Sequence, residues 1–516
     1  MSPELALILS PAVFALLSLY FRSGKVDRYL IAGGAAFHFV LTLSTGHGVQ
    51  PAGALLGADN LSYLFLLILS VVFLSTSFYN VSFIGHMGKE SKFELLYVPM
   101  MFAFLSATTG VILSRHLGLT WIFIEAATLA SAPLIGYYRG NEFLEALWKY
   151  LFICSVGIAL SFIGVIAMVE ASKGIAAPQI NPGLNVDALG FYAKRLSPLW
   201  GGLAFVFAIA GYGTMMGLAP MHKWLPDTHT LAPSPVSAML SGALLNCAFL
   251  SLLRYYQIFA STPLIAFFRP VLIVMGTFSI FVSAVYVLRV HNFKRKLSYS
   301  SIGHMGILAT GIGLGGTAIY GAMLYTLCHC LAKNMMFLTT GNFSRAFGTM
   351  TVSTIRDGIN KVPVSSWLLL TGVFALAGFP PSGIFLGQFI MLKQMVTAGN
   401  WFVFVIFTTS LSAMAYGMVK SVVEMVFSKH PESGSDRIGQ RVGGRIGGNA
   451  DNRVDKPADG NADDHIGGRV SEDFLSVFPQ WVLIILLVAL GLGIPGKLNE
   501  LLSGAASLLG WSLGGF

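Results

Sequence analysis

Among the ionisable side chains inside long apolar stretches of this sequence are Glu125 in TWIFIEAATLASAPLIG, Lys149 in EALWKYLF, His304 in SSIGHMGIL, and His329 with Lys333 in TLCHCLAKNMMFL. An ionisable group near the middle of a membrane helix costs roughly 2.5 to 3.5 kcal/mol on insertion scales, so such groups mark pathways, partners or reactive sites. Glu125 lies about eight residues into its stretch, about 12 Å from the end at a rise of 1.5 Å per residue, too deep to reach the interface easily. His329 and Lys333 are four apart and share a helix face, where they can relay a proton or hold a chain of water. The alternative for each is structural: a polar group satisfied by neighbouring helices. Lys149 follows Glu145 by one turn and sits near a span end, where a lysine can snorkel to the surface.

Two stretches must position these groups. Gly211 to Ser241 (GYGTMMGLAPMHKWLPDTHTLAPSPVSAMLS) opens and closes apolar but breaks at Gly217, Pro220, Pro226, Pro233 and Pro235. A second break lies about 160 residues on, at Ala375 to Gln388 (ALAGFPPSGIFLGQ) with Pro380 and Pro381, and paired interrupted segments point to an inverted-repeat transport site. Interrupted helices at membrane depth need their freed amides and carbonyls buried in protein or facing water. His222, Lys223, Asp227 and His229 in the first break therefore line a cavity mouth, or else form a solvated loop.

Composition sets the frame. The chain has 516 residues, 55% hydrophobic and 11% charged, against about 25% charged in soluble proteins. An all-α integral membrane protein is expected, lying in the lipid bilayer, and its net charge of +9 needs no nucleic acid. With about 20 residues per span, helices are expected at 3–21, 29–45, 61–85, 95–114, 117–138, 146–170, 199–218, 234–259, 268–290, 297–316, 319–344, 364–396, 401–427 and 475–494, about fourteen in all. Residues 1–427 form a transmembrane domain, 428–473 a low-complexity loop with RVGG, RIGG and HIGG pieces, and 474–516 a last helix with a turn-rich interfacial tail. Such a loop has too little apolar surface to bury a core. The Lys/Arg bias of the short loops puts this loop in the cytoplasm and both termini on the other side. Cys154, Cys247, Cys328 and Cys330 lack metal-ligand spacing and are expected to be packing residues.

GYGTMMGLAPMHKWLPDTHTLAPSPVSAMLSGALLNCAF and LEALWKYLFICSVGIALSFIG resemble the antiporter-like membrane subunits shared by respiratory complex I, the Mrp cation/proton antiporters and the membrane-bound hydrogenases. They look most like the F component of hydrogenase-4 and formate-hydrogenlyase-type complexes. The resemblance implies two inverted five-helix repeats, helices four to eight and nine to thirteen, with helices seven and twelve broken. It also implies a line of charged groups at mid-membrane, with Glu125 as the glutamate of helix five and Lys333, with His329, as the lysine of helix eleven. Three positions depart from the pattern: Met215 replaces a lysine, Gln388 replaces a glutamate or lysine, and Gly303 in SSIGHMG replaces an acid.

The expected function is that of an antiporter-like subunit in a redox-driven complex in a cell inner membrane, contributing to proton or cation translocation by a reduced or altered path. Redox chemistry would belong to other membrane and peripheral subunits. Nickel-iron and iron–sulfur centres are expected there and none in this chain, which offers no ligands for them. The alternatives are a stand-alone cation/proton antiporter, an inorganic-carbon-uptake subunit, and a membrane scaffold that no longer transports.

Overall fold

The computed structural model describes residues 2–21, 23–46, 54–85, 94–137, 140–175, 183–429 and 472–511. The helices follow the apolar stretches in order: α1 (Pro3–Phe21), α2 (Gly24–Thr45), α3 (Asn60–Gly85), α4 (Glu94–Leu113), α5 (Leu117–Ile135), α6 (Asn141–Ser172), α7 (Val186–Phe191), α8 (Pro198–Met216), α9 (Trp224–Leu231), α10 (Ser234–Met239), α11 (Leu245–Phe259), α12 (Ile265–Arg289), α13 (Phe293–Leu314), α14 (Thr317–Phe347), α15 (Gly358–Lys361), α16 (Pro363–Leu376), α17 (Gly383–Thr397), α18 (Trp401–Phe427), α19 (Phe474–Leu492) and α20 (Gly496–Ser507). One π turn, Leu240–Leu244, joins α10 to α11. Among the described residues there are no strands, only isolated antiparallel bridges.

Ten of the described helices are long and apolar enough to cross a membrane. The other expected spans are also helical, but α2, α13 and α14 are not apolar enough to count, and the stretch 364–396 is split between α16 and α17. The reason is visible for α13 and α14: nearly every residue of both is buried. Helices surrounded by protein can carry Ser, His and Lys that a lipid-facing helix cannot.

Both interruptions are present. α8 stops at Met216 because Gly217 adopts φ 74°, ψ 28°, a left-handed position that closes the helix with Leu218 N–H donating to Gly213 O at 2.9 Å. The freed groups find protein partners: Trp224 Nε1 donates to Thr214 O at 2.8 Å, and Ala219 N to Ser279 Oγ at 2.9 Å. α16 ends at Leu376 and α17 starts at Gly383, with Gly378 at φ 80° between them. Here the Ser382 side chain caps α17, accepting from Phe385 N at 3.3 Å. Each break contains a cis prolyl peptide, Ala219-Pro220 and Pro380-Pro381.

Close packing of small residues joins the helices. A methyl group added at Gly211 of α8 would lie 2.5 Å from Ser161 Cβ, and one at Gly306 of α13 would lie 2.6 Å from Gly276 O. Such sites let backbones approach where no hydrophobic force drives helices together. The four cysteines are free and buried, as packing residues would be.

Two expectations change. α13 begins at Phe293, four residues before the expected start, because Asn292 caps it by accepting from Arg295 N at 3.0 Å. That draws Lys294 and Lys296, expected in a loop, into a buried helix. The turn-rich tail is instead largely the helix α20, which buries Leu501, Leu502, Ala505 and Ala506 and is held by Tyr320 Oη donating to Asn499 Oδ1 at 2.6 Å. The expected loop at 428–473 falls almost wholly outside the described residues.

Candidate functional site

Lys333 is fully buried on α14 and donates to Leu297 O at 2.8 Å and Ser300 Oγ at 2.5 Å, both on α13. One turn away on α14, His329 is also fully buried, and neither of its ring nitrogens has a hydrogen-bond partner among the described residues. One turn beyond Ser300, His304 stacks obliquely on His329 with ring centroids 4.9 Å apart. His304 Nδ1 hydrogen bonds to the Tyr325 hydroxyl, which also faces the Gln388 amide of α17. Three helices, α13, α14 and α17, thus assemble a polar line, Ser300–Lys333–His329–His304–Tyr325–Gln388.

The line extends the other way through α9. His229 is fully buried, stacks on Phe337 at 5.3 Å and has both ring nitrogens unpaired among the described residues. The cations acting on it are Lys333 and Lys294, and Lys294 Nζ donates to Ala232 O just past α9. Lys296 donates to Ser421 Oγ at 2.6 Å and Gly417 O at 3.4 Å on α18. None of Lys294, Lys296 and Lys333 has a carboxylate within ion-pair reach among the described residues; each side-chain nitrogen meets neutral oxygens only.

Such an arrangement can hold and pass protons. A buried ammonium without a counter-charge costs several kcal/mol, and a buried imidazole with free nitrogens can accept at one and release at the other. Among the described residues no group of three or more His, Cys, Asp and Glu could bind a metal.

The polar residues of the first break sit at different depths. Lys223 alone of the four is exposed; His222 and His229 are buried and Asp227 is half-buried on α9. His222 packs against the Tyr286 and Tyr299 rings at 6.3 and 6.5 Å. Asp227 is a hub, receiving Lys149 Nζ at 3.1 Å and Arg295 Nη2 at 3.2 Å, while Lys149 also meets Glu145 at 2.8 Å. Pro220, Pro380 and Pro381 are exposed at the two breaks. A cavity of about 970 Å³ opens beside the second break, between α17 and α18, with Gly378, Phe379 and Gln388 at the break and Lys420, Glu424 and Ser428 toward the end of α18.

Glu125 stands apart. It is half-buried on α5 between the exposed Ile122 and Leu129. Its Oε2 is buried without a hydrogen-bond partner among the described residues. The groups that feel its charge are Cys154 and Tyr150 of α6, and Tyr150 is itself bonded to Ser131 at 2.6 Å. Of the departures, Met215 is fully buried in the apolar core. Gly303 is closed in: a Cβ there would lie 2.6 Å from Ser283 Oγ and 2.9 Å from Met414 Sδ.

Sequence reasoning missed Ser300, Tyr325, Lys294 and Lys296 as site residues. Asn292 three residues before Arg295 is a helix-cap signal that would have placed Lys296 one turn before Ser300. It also missed a charge cluster at the other end of the bundle. Asp59, ahead of α3, receives Arg254 through Nη1 at 2.8 Å and Nη2 at 3.1 Å, and Arg115 as well. Arg115 further pairs with Asp187. Burial alone would raise the Asp59 carboxyl, but the two guanidiniums outweigh it and hold it well below the usual aspartate range. The Arg115 guanidinium loses water on burial too, yet Asp59 and Asp187 keep it charged and push its pKa up.

Comparisons with known proteins converge on one group. Residues 114–414 match the family described as NADH:quinone oxidoreductase/Mrp antiporter, TM. A hydrogenase-4 component F homolog from Methylacidiphilum infernorum is 33% identical over 397 residues, covering 75% of this chain and 83% of that protein. In fold, a chain of the membrane-bound sulfane sulfur reductase, an archaeal respiratory membrane complex, superposes with a TM-score of 0.81 at 20% identity, covering 99% of this chain and 98% of that one. A chain of the Mrp complex from Dietzia sp. DQ12-45-1b gives 0.80 at 18% identity, covering 98% and 97%.

Proposed function

This chain belongs to the NADH:quinone oxidoreductase/Mrp antiporter family of membrane subunits, and from that premise we propose that it is the antiporter-like subunit of a redox-driven, hydrogenase-type multisubunit complex and moves protons across a cell membrane. It is a multi-pass, all-helical membrane protein related to hydrogenase and complex I subunits. The observation that carries the proposal is the buried line Lys333–His329–His304–Tyr325, held next to the second interrupted helix with its lysine bonded to neutral oxygens only. Groups so placed are costly to the fold and useful to a proton.

The path is altered from the family's usual one. Met215 cannot hold a proton, and Gln388 can join a hydrogen-bonded chain without titrating near neutral pH. Lys333, His329 and His304 then do the carrying in the half of the chain after α11, while Glu125 with Tyr150, and Lys149 with Asp227, form separate polar groups in the half before it. Nickel-iron and iron–sulfur chemistry belongs to partner subunits, and both termini face away from the cytoplasm. Weak internal symmetry between the two breaks fits inverted five-helix repeats.

The test starts from the intact assembly. A tag on this chain should bring hydrogenase-like large and small subunits out of solubilised membranes, and vesicles carrying the complex should take up protons when it turns over. Isolation with a run of Mrp subunits, or alone with cation/proton exchange activity, would replace this reading with that of an antiporter.

A further inference from the structure

We infer that Lys296 is a proton-relay residue joining the groove between α17 and α18 to Lys333, which gives the second half of the molecule its own entry from the face that carries Glu424 and Ser428. The inference rests on the proton-translocation reading above and adds to it a place of access.

Three observations meet there. First, the groove of about 970 Å³ has apolar walls, Phe385, Phe389, Val419 and Val423 among them, and carries polar groups at its two ends: Gln388 at the break between α16 and α17, and Lys420, Glu424 and Ser428 at the end of α18. Second, only a thin wall parts it from the buried line. Ala377 and Ala415 line the groove and also line a small inner space shared by Ser300 and His304. Third, Lys296 lies behind α18, buried, bonded to Ser421 Oγ at 2.6 Å and Gly417 O at 3.4 Å. The charges acting on it are Glu424 and Lys420, and Glu424 is 3.7 Å from Arg356.

On α13, Lys296 and Ser300 are four residues apart, hence neighbours on one face at about 6 Å. Ser300 accepts from Lys333 at 2.5 Å, and Leu297, adjacent to Lys296, offers its carbonyl to the same ammonium at 2.8 Å. The steps balance as proton transfers alone. Glu424 takes a proton from the groove and gives it to the Lys296 amine. Once Lys333 has passed a proton along the line and stands as an amine, the Lys296 ammonium gives one proton to Ser300 Oγ while the Ser300 hydroxyl, turning from Leu297 O, gives its own to Lys333; Lys296 returns to its amine. No electron moves. A purely structural lysine would not need a groove beyond the helix it is bonded to, a carboxylate at the groove's rim and, one turn ahead, a serine bonded to a second lysine.

The experiment uses the complex purified through this chain, reconstituted in vesicles with a trapped pH dye and driven by a potassium diffusion potential with valinomycin. Lys296→Arg keeps the charge and can keep the Ser421 bond but cannot give up a proton. The rate should fall roughly tenfold or more, the low end of what a positioned proton-transfer group supplies, with Lys296→Met equally slow. Ser421→Ala, which removes only the bond, should stay near the parent. Filling the wall with Ala415→Leu should slow transfer as well, and it provides the readout should a Lys296 variant fail to assemble. Lys296→Arg and Ala415→Leu both at the parental rate would overturn the relay. If Lys333→Ala slows transfer in that same series, the relay alone has failed; if Lys333→Ala is also at the parental rate, the proton-translocation reading has failed with it.

Discussion

The bundle buries charge in two places, and it treats them in opposite ways. At one end, Asp59 receives two guanidiniums, and Arg254 also reaches Ser62 at 2.5 Å and Gln257 at 2.7 Å, so the groups that carry charge are answered by charge or strong acceptors. Along α13 and α14, Lys294, Lys296 and Lys333 meet only neutral oxygens, and the rings of His229 and His329 are unpaired among the described residues. A fully answered network is rigid, because moving any proton or side chain leaves a partner stranded. A half-answered one costs stability but leaves its protons free to move. The clamp joins the ends of α3, α4, α5, α7 and α11 into a fixed frame, and the second region works inside that frame.

If this contrast is right, the largest effect on stability comes from opening the clamp. Arg254→Ala leaves Asp59 buried with one partner fewer and should cost about 3 to 5 kcal/mol, the usual penalty for breaking a buried pair from one side. Thermal unfolding of the purified complex would register it, and a loss under about 1 kcal/mol would erase the distinction between the two regions. Crowding the second region should cost less. Gly303→Ala pushes a methyl against Ser283 and Met414, for about 1 to 3 kcal/mol of overpacking. Gly303→Glu should add a further loss without raising proton uptake, since no space waits for the acid.

Acid sharpens the comparison further. The two guanidiniums hold the Asp59 carboxyl below its ordinary value of 3.8. A group with a depressed native pKa contributes stability that is present above that ordinary value and fades as pH falls below it. Unfolding of the parent complex should therefore steepen with acid only under about pH 4, and Asp59→Asn should flatten that limb. An unchanged limb in Asp59→Asn would mean that other carboxylates govern acid unfolding.

How much of this could be read from the sequence follows from the same contrast. The helices and both breaks were legible because apolar runs, Gly217 and the Pro-Pro step at Pro380 act locally, within a turn or two. Lys333 and His329 were legible as a pair because a spacing of four residues fixes a shared face, while His304, on the next helix, was legible only as a separate deep histidine. Partners across helices were not: nothing local tells that Ser300 receives Lys333, that Tyr325 sits beside His304, or that Arg254 reaches back nearly 200 residues to Asp59. Nor does the sequence tell the two breaks apart. Which side of a broken helix opens depends on what packs over it; α12 and α13 cover the first break, through Ser279 and Tyr299, while α18 leaves a groove beside the second.

The smallest expected change in stability is the most telling one. Lys333→Met removes an ammonium that has no carboxylate to lose, replaces it with a flexible apolar side chain of similar length, and leaves behind Leu297 O and Ser300 Oγ. Ser300 keeps a partner of its own, donating to Leu297 O at 2.8 Å, so that acceptor is not orphaned. Replacing buried charge by well-packed apolar groups is often neutral or stabilising, so unfolding should shift by no more than about 1 kcal/mol in either direction. Proton uptake by the complex should nonetheless stop, because His329 and His304 lose the group that loads them. A variant that is as stable as the parent and does not transport would separate the two uses of buried charge within one bundle. A variant that unfolds like Arg254→Ala would show instead that Lys333 is part of the frame, and that the line along α13 and α14 is held together by its charge.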